Sequence, residues 1–301
     1  NWSGSYSKTS SEEPDRRQVM FEKAGNSLEL FDLNKQENMR YFGSLNEEEW
    51  VGDLRSSYRY GDNNLIRMGA TYKDKSRTFR STRFYYDVSR FNPEIEDIYQ
   101  TSGFMGYDHI ANGDIAIIRD QQPKDQYDAG HSIYAGFIDA EYYPTANFLV
   151  NIGVRYEYSH QWVNYATDGG EAKRNEVNCH DFFPAMNLKY TVNDANSLRF
   201  SFSRTVTRPS FIEMAPFLYQ ESYGAAMIRG NAELKNGYNY NIDLRYERFD
   251  QQNSNNMFSI TGYAKILEDP IERTQTLSGG AAVHSFQNAD TGVAAGVEVE
   301  F

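Results

Sequence analysis

Residues Tyr238 to Glu247 read Tyr-Asn-Tyr-Asn-Ile-Asp-Leu-Arg-Tyr-Glu, with every even position aromatic or aliphatic and every odd position amide, acid or base. A period of two is the side-chain repeat of a β-strand. The polar face is unusually strong, because Asp243, Arg245 and Glu247 follow one another along it. Two architectures accept such a strand. A sandwich turns the apolar face to a protein core and the polar face to water, whereas a membrane barrel turns apolar side chains to lipid and charges into a wet lumen.

Repetition along the chain tilts the choice. The same alternation recurs in about ten segments: Trp2–Lys8, Trp50–Tyr60, Ile66–Tyr72, Tyr134–Tyr142, Phe148–Tyr158, Met186–Val192, Leu198–Phe202, Tyr238–Tyr246, Phe258–Ile266 and Val293–Phe301. The third continues into the basic stretch from Lys73 to Arg83. Tight connections rich in turn formers lie at Gly61-Asp62-Asn63, Pro144–Asn147, Asn193–Asn196 and Asp250–Asn256. They alternate with long ones at Ser10–Arg40, Phe91–Gly130, Trp162–Asp181, Pro209–Asn236 and Asp269–Asp290. An up-and-down antiparallel sheet with its tight turns at one end and its long loops at the other produces that order, as in outer-membrane barrels with short periplasmic turns.

Composition is consistent with this reading and excludes others. Aromatics make up 15% of the chain, with 23 Tyr and 19 Phe, on a background whose mean hydropathy is -0.71. Aromatic girdles, a watery interior and polar loops give that combination, and so does a Tyr-rich carbohydrate-binding sandwich. A net charge of -12 argues against nucleic acid as a partner. No apolar run approaches the ~18 residues of a transmembrane helix, which says nothing against barrel strands of about ten. Cys179 is the only cysteine, so no internal disulfide forms and no thiolate cluster is available.

Several ordered segments resemble the barrel of TonB-dependent outer-membrane receptors. They begin with the loop approach Glu13-Pro14-Asp15-Arg16-Arg17 and Arg155-Tyr156-Glu157. Phe183–Tyr190 and Asn196–Pro209 follow, the latter ending in Arg208-Pro209, and then Gly230–Lys235 and Asp243–Glu247. Gly262–Lys265, Glu268–Glu272 and Gly296–Glu300 close the series. The resemblance implies a transmembrane β-barrel of about 22 strands around an N-terminal plug. It also implies import of an extracellular ligand, driven by the TonB energy-transducing complex through that plug. Residues 1–301 are then one partial β-barrel domain, a middle-to-late piece of the wall, lacking plug and final strands. Phe301, on an alternating strand, also suits a true C-terminus. Such a wall sits in the outer membrane of a Gram-negative bacterium, contacts its lipid, and pairs with a surface lipoprotein in some arrangements. Residues 1–301 alone are expected to fold poorly, because both terminal strands leave unpaired edges.

Candidate ligand contacts fall into two sets. Lys73, Lys75, Arg77, Arg80 and Arg83 form a basic collar that attracts anions, or else a surface neutralised by acids such as Asp74 and Asp87. Arg155, Glu157, Asp243, Arg245 and Glu247 point into the lumen, where they contact ligand or plug, or pair across strands to hold register. Arg208 joins them as a rim candidate, although Arg208-Pro209 also reads as a loop-shaping pair. Cys179-His180-Asp181 and His131 with Asp139 lack metal-ligand spacing, and no catalytic triad or phosphate loop is present. The expected function is therefore import of a siderophore–metal complex or a glycan, with no catalysis and no cofactor. A secreted adhesin or carbohydrate-binding module is the alternative from another class, and an outer-membrane hydrolase would need a nucleophile and base that the sequence does not present.

Overall fold

The computed structural model describes the 301 residues except 62, 92, 94, 168, 220–224, 251–255 and 279–280. Ten long strands build one wall. The first five are β1 (Trp2–Gln18), β2 (Met39–Tyr60), β3 (Asn64–Asp87), β4 (Gln126–Thr145) and β5 (Phe148–Ala166). The others are β6 (Ala172–Asn193), β7 (Asn196–Thr207), β8 (Gly237–Phe249), β9 (Met257–Glu268) and β10 (Thr291–Glu300). Each pairs antiparallel with the next. A short eleventh strand, Ala116–Asp120, pairs with the outer end of β3. Among the described residues β1 and β10 each have one wall neighbour, so the sheet is an open wall and not a closed barrel.

All ten expected strands are present, and the tight turns join them at one end. At Asn193–Asn196 the Asn193 Oδ1 accepts from Ala195 N at 3.0 Å and from Asn196 Nδ2 at 2.7 Å. That local bonding is why asparagine favours such a turn. The Asp250–Asn256 turn joins β8 to β9, but its residues 251–255, like Asp62 in the first turn, lie outside the described residues.

The long connections differ from the sequence expectation. Most of Trp162–Asp181 is strand, since β5 runs to Ala166 and β6 starts at Ala172. Ser10–Arg40 likewise loses its ends to β1 and β2, and its middle is a hairpin of Phe21–Ala24 with Ser27–Leu30. The physical reason is an inversion of polarity along each strand. In β5 the outward residues Ile152, Val154 and Tyr156 are exposed, while Glu157 on the opposite face is buried. Farther up, the outward positions are His160, Trp162 under the Arg174 guanidinium, and Asn164, and the inward Val163 and Tyr165 are buried against protein. β4 does the same, passing from outward Ile138 and inward Asp139 to outward Asp128 and inward Tyr127. A period-two search for one apolar face stops at that inversion, although the hydrogen-bond ladder continues through it.

The inversion marks where the solvent on the outer face changes. Below it Trp50, Ile152 and Leu244 are 56%, 54% and 58% exposed, on a single layer. A water-soluble sandwich buries that face. Hydrocarbon is the medium in which such a surface costs nothing, provided that every backbone group is paired within the sheet.

Above it the connections carry their own cores. Leu30, Val88, Ile95, Phe104 and Ile115 join the first two long connections into one cluster. The Pro209–Asn236 connection folds back onto the inner face of β4 and β5, with Phe211, Met214, Ala215 and Phe217 packed on Tyr127, Ala129, Val163 and Tyr165. Met214 and Val163 are 0% exposed, and burying each such side chain stabilises by roughly 1.5–3 kcal/mol. Gly230 allows the close return of this segment, because a Cβ there would lie 2.2 Å from Ala215 O. Its strand Met227–Arg229 then pairs with Ala281–Asn288 of the last long connection.

Ile152→Arg should cost about 2–4 kcal/mol when the full-length protein is unfolded from phospholipid bilayers, whereas Asn151→Arg should cost less than about 1 kcal/mol. Equal costs at the two positions would remove the assignment of faces.

Candidate functional site

The inner face is a set of cross-strand charge rows. On β2 and β3, Glu47 accepts from Lys75 at 2.9 Å and from Arg77 Nε at 2.8 Å, and Glu49 pairs with Lys73 and Lys75, each at 3.0 Å. Arg67 and Asp139 pair at 2.7 Å between β3 and β4. Opposite charges facing each other on neighbouring strands stabilise one register over its one-residue slips. Each row thus joins acids to bases across neighbouring strands.

The candidate residues separate into distinct places. Of the basic collar, Arg77 is taken up by Glu47 and stacks over the Phe211 ring at 5.1 Å, which ties the folded-back segment to β3. Arg80 pairs with Asp128 at 2.7 Å and donates to Phe79 O and Tyr127 O. Arg83 reaches Asp125 at 3.6 Å and lines an open cleft. In the second set, Glu157 is buried between Arg155 at 2.6 Å and Arg208 at 2.7 Å. Gln161 Nε2 donates to Pro209 O at 2.7 Å beside them, and Ser210 with Glu213 caps the short helix Phe211–Met214. Arg208 thus anchors the start of the folded-back segment to the wall.

Asp243, Arg245 and Glu247 form a third group lower on the wall. Glu247 accepts from Ser197 at 3.0 Å, Arg199 at 2.8 Å and Arg245 at 2.9 Å, while Arg245 also reaches Glu300 at 2.7 Å. Asp243 accepts from Ser201 at 3.2 Å. Glu157 and Asp243 stand on β5 and β8, three strand spacings or roughly 14 Å apart across the sheet. The sequence candidates therefore do not converge on one pocket.

A further cleft brings Arg83 of the basic collar together with Arg16 and Lys124, and Arg16 also pairs with Glu13 at 3.1 Å. It has a volume of about 430 Å³ and lies at the mouth, lined by Arg16, Gln18, Glu37, Arg83, Lys124 and Tyr219 among others. A bulge between Glu13 and Arg16 brings Arg16 opposite Tyr41, and Pro14 falls within it, where a missing N–H costs no ladder bond. The Tyr41 ring lies between the two guanidiniums, 4.5 Å from Arg16 and 5.9 Å from Arg83. Among the described residues lining this cleft, Glu37 is the one acid, and it is spent on the backbone N–H groups of Asn34 and Gln36, each at 3.1 Å. Burial pushes its carboxyl up, but the backbone hydrogen bonds outweigh that and hold it below the usual glutamate range. The Glu-Pro-Asp-Arg-Arg run was the available signal, but its bulge is not visible in an alternation pattern.

The depressed Glu37 sets a pH dependence. Because its folded-state pKa lies below its ordinary value of 4.5, its stabilisation is fully present above that pH and is lost as the pH falls through the lower native value. Protection of the Asn34 and Gln36 amides, taken relative to their intrinsic exchange rates, should fall on acidification in the wild type, and in Glu37→Gln should already be low at neutral pH. Arg208→Ala should raise exchange across residues 209–217 at least about tenfold, since a hydrogen bond to a charged group is worth roughly 1.5–3 kcal/mol. Unchanged exchange there would show that apolar packing alone holds the segment.

Residues 98–301 match the model of the outer membrane protein beta-barrel family. No curated protein matches the chain. Among solved structures, the copper transporter OprC aligns with TM-score 0.59 at 12% identity, covering 98% of this chain and 40% of its own. The pyoverdine receptor FpvA of Pseudomonas aeruginosa PAO1 aligns at 0.55 and 12%, covering 99% and 39%. The alcaligin receptor FauA of Bordetella pertussis aligns at 0.52 and 11%, covering 99% and 40%. This chain thus spans about two fifths of the length of those receptors, and at such identities they establish the fold alone. The family model covers more than half of these residues, and the chain belongs to the outer membrane protein β-barrel family.

Proposed function

We propose that this chain is a wall segment, one domain over residues 1–301, of a receptor that imports a small anionic ligand across the outer membrane. The observation that carries the reading is the mouth cleft, where Arg16, Arg83 and Lys124 line one space and Glu37 is the acid among its described lining residues. Guanidiniums held flat by an aromatic ring bind planar anions with little loss of side-chain entropy. That chemistry favours an anionic metal chelate over a neutral glycan. Receptors named for alcaligin and pyoverdine, and a copper transporter, are among the proteins of similar fold. The charge rows below the cleft hold the wall's register and, in the complete receptor, face a plug through which the TonB complex supplies energy. A surface lipoprotein partner belongs to the same reading. The wall itself carries out no bond chemistry.

The test is uptake by cells carrying the full-length gene, with radiolabelled ferric chelates and oligosaccharides, with and without the energy-transducing complex. Chelate uptake that needs the complex, and that falls at least about tenfold in the Arg16→Gln, Arg83→Gln double variant at unchanged surface level, is the expected result. Uptake indifferent to the complex, or confined to neutral oligosaccharides, contradicts it.

A further inference from the structure

Toward the mouth the wall has a gap. β7 pairs with β6 only as far as Ser203 opposite Ala185. From Ala172 to Pro184, β6 is laddered to β5 alone. Among the described residues, the hydrogen bond that reaches the open side of this stretch of backbone is the one from Arg204 Nη1 to Phe182 O, at 2.8 Å. The remaining outward-facing N–H and C=O groups form an unfilled strand edge.

Across the gap stands Asn236. It is 4% exposed, and neither its Nδ2 nor its Oδ1 has a hydrogen-bond partner. A cleft of about 440 Å³ lies there, lined by Glu176, Cys179, Lys235, Asn236, Tyr238 and Asp269. Tyr238 is committed, since its hydroxyl donates to Asp181 Oδ1 at 2.7 Å, and Arg204 stacks on its ring at 4.0 Å. A rigid, aromatic floor is thus set beside an amide with every bond empty. Leaving a buried donor and acceptor unmade costs about 1–3 kcal/mol each, and native proteins keep such groups where something else supplies the bonds.

We propose that this cleft binds an extended peptide, whose backbone adds to the β6 edge along Glu176–Cys179 and exchanges one N–H and one C=O with the Asn236 side chain. A primary amide presents donor and acceptor side by side, as the N–H and C=O of one residue do in an extended strand, so the two pair bidentately. A strand edge asks for the same chemistry, and main-chain bonds along it give affinity without sequence preference. The lining carries one cation, Lys235, and two acids, Glu176 and Asp269, with Glu176 already bonded to Arg174 and His160. No single sign dominates, which fits an uncharged backbone better than a chelate or polyanion. The volume lies within the ~300–1,000 Å³ of ordinary ligand pockets, enough for a few residues and too little for a folded partner. This site is separate from the mouth cleft, and its occupancy does not depend on what the receptor imports.

Calorimetric titration of the full-length receptor in detergent tests it with two probes. One is acetyl-tetraalanine amide; the other is its analogue with the central amide replaced by an ester, which lacks one N–H donor. Wild type should bind the peptide saturably and the ester about tenfold more weakly. Asn236→Leu should bind the peptide about tenfold more weakly than wild type and no longer distinguish the two probes. Asn236→Asp, which keeps the size and the acceptor and loses the donor, should also bind the peptide about tenfold more weakly while still preferring it to the ester, and serves if the leucine variant does not fold. No binding of the peptide at millimolar concentration, or equal binding of peptide and ester by wild type, overturns the proposal.

Discussion

Everything in this wall depends on closing the backbone hydrogen bonds before the chain meets hydrocarbon. In a medium without water, each open N–H or C=O costs several kcal/mol, and a sheet meets that cost only by pairing each strand on both sides. Inside the wall β2 through β9 each have two neighbours, and the ladder between β6 and β7 runs to Ala185 before it opens toward the mouth. Side chains are then free to answer to two solvents at once. The outer positions carry Ile, Leu, Val, Tyr and Trp because nothing polar is tolerated there, and the inner ones carry charges because water and counter-charges are available.

The inner charges are arranged as rows and not as a single site. Glu47 and Glu49 with Lys73, Lys75 and Arg77, then Arg155 with Glu157 and Arg208, then Arg199 with Glu247, Arg245 and Glu300, each span neighbouring strands or a strand and the connection beyond it. Cross-strand pairs of this kind select the register. One of them also has a second consequence: by holding Arg208, Glu157 fixes the point at which the Pro209–Asn236 connection leaves the wall and turns inward. The segment that follows narrows the lumen with a packed apolar core and forms one lip of the mouth cleft through Tyr219. Recognition chemistry is thus placed above the membrane, on elements braced by the rows beneath.

What the sequence revealed and what it concealed have the same cause. Phe148–Tyr158 and Tyr238–Tyr246 were legible as strands because lipid imposes one polarity on one face over the whole crossing. Val163 and Tyr165 fall outside that signal because beyond the bilayer the outer face meets water and the inner face meets Met214 and Phe217, which reverses the pattern without ending the strand. Arg155, Glu157, Asp243, Arg245 and Glu247 were placed correctly on the polar face by alternation, yet periodicity carries no information on which rows share a pocket. Arg16 entered the cleft through a bulge, and Asn236 through the pairing of two distant connections, neither of which leaves a period to find.

The most direct test of the lipid-facing stripe is spin-label accessibility along β5 and β8 of the full-length receptor in bilayers, in a Cys179→Ser background. Labels at positions 151, 152, 243 and 244 should alternate in their exposure to oxygen and to a water-soluble nickel chelate. Positions 152 and 244 are expected to favour oxygen and positions 151 and 243 nickel, with the preference on β5 lost by position 160. Labels at 152 and 244 shielded from both reagents would mean that protein covers that face, and the wall would not be a membrane wall.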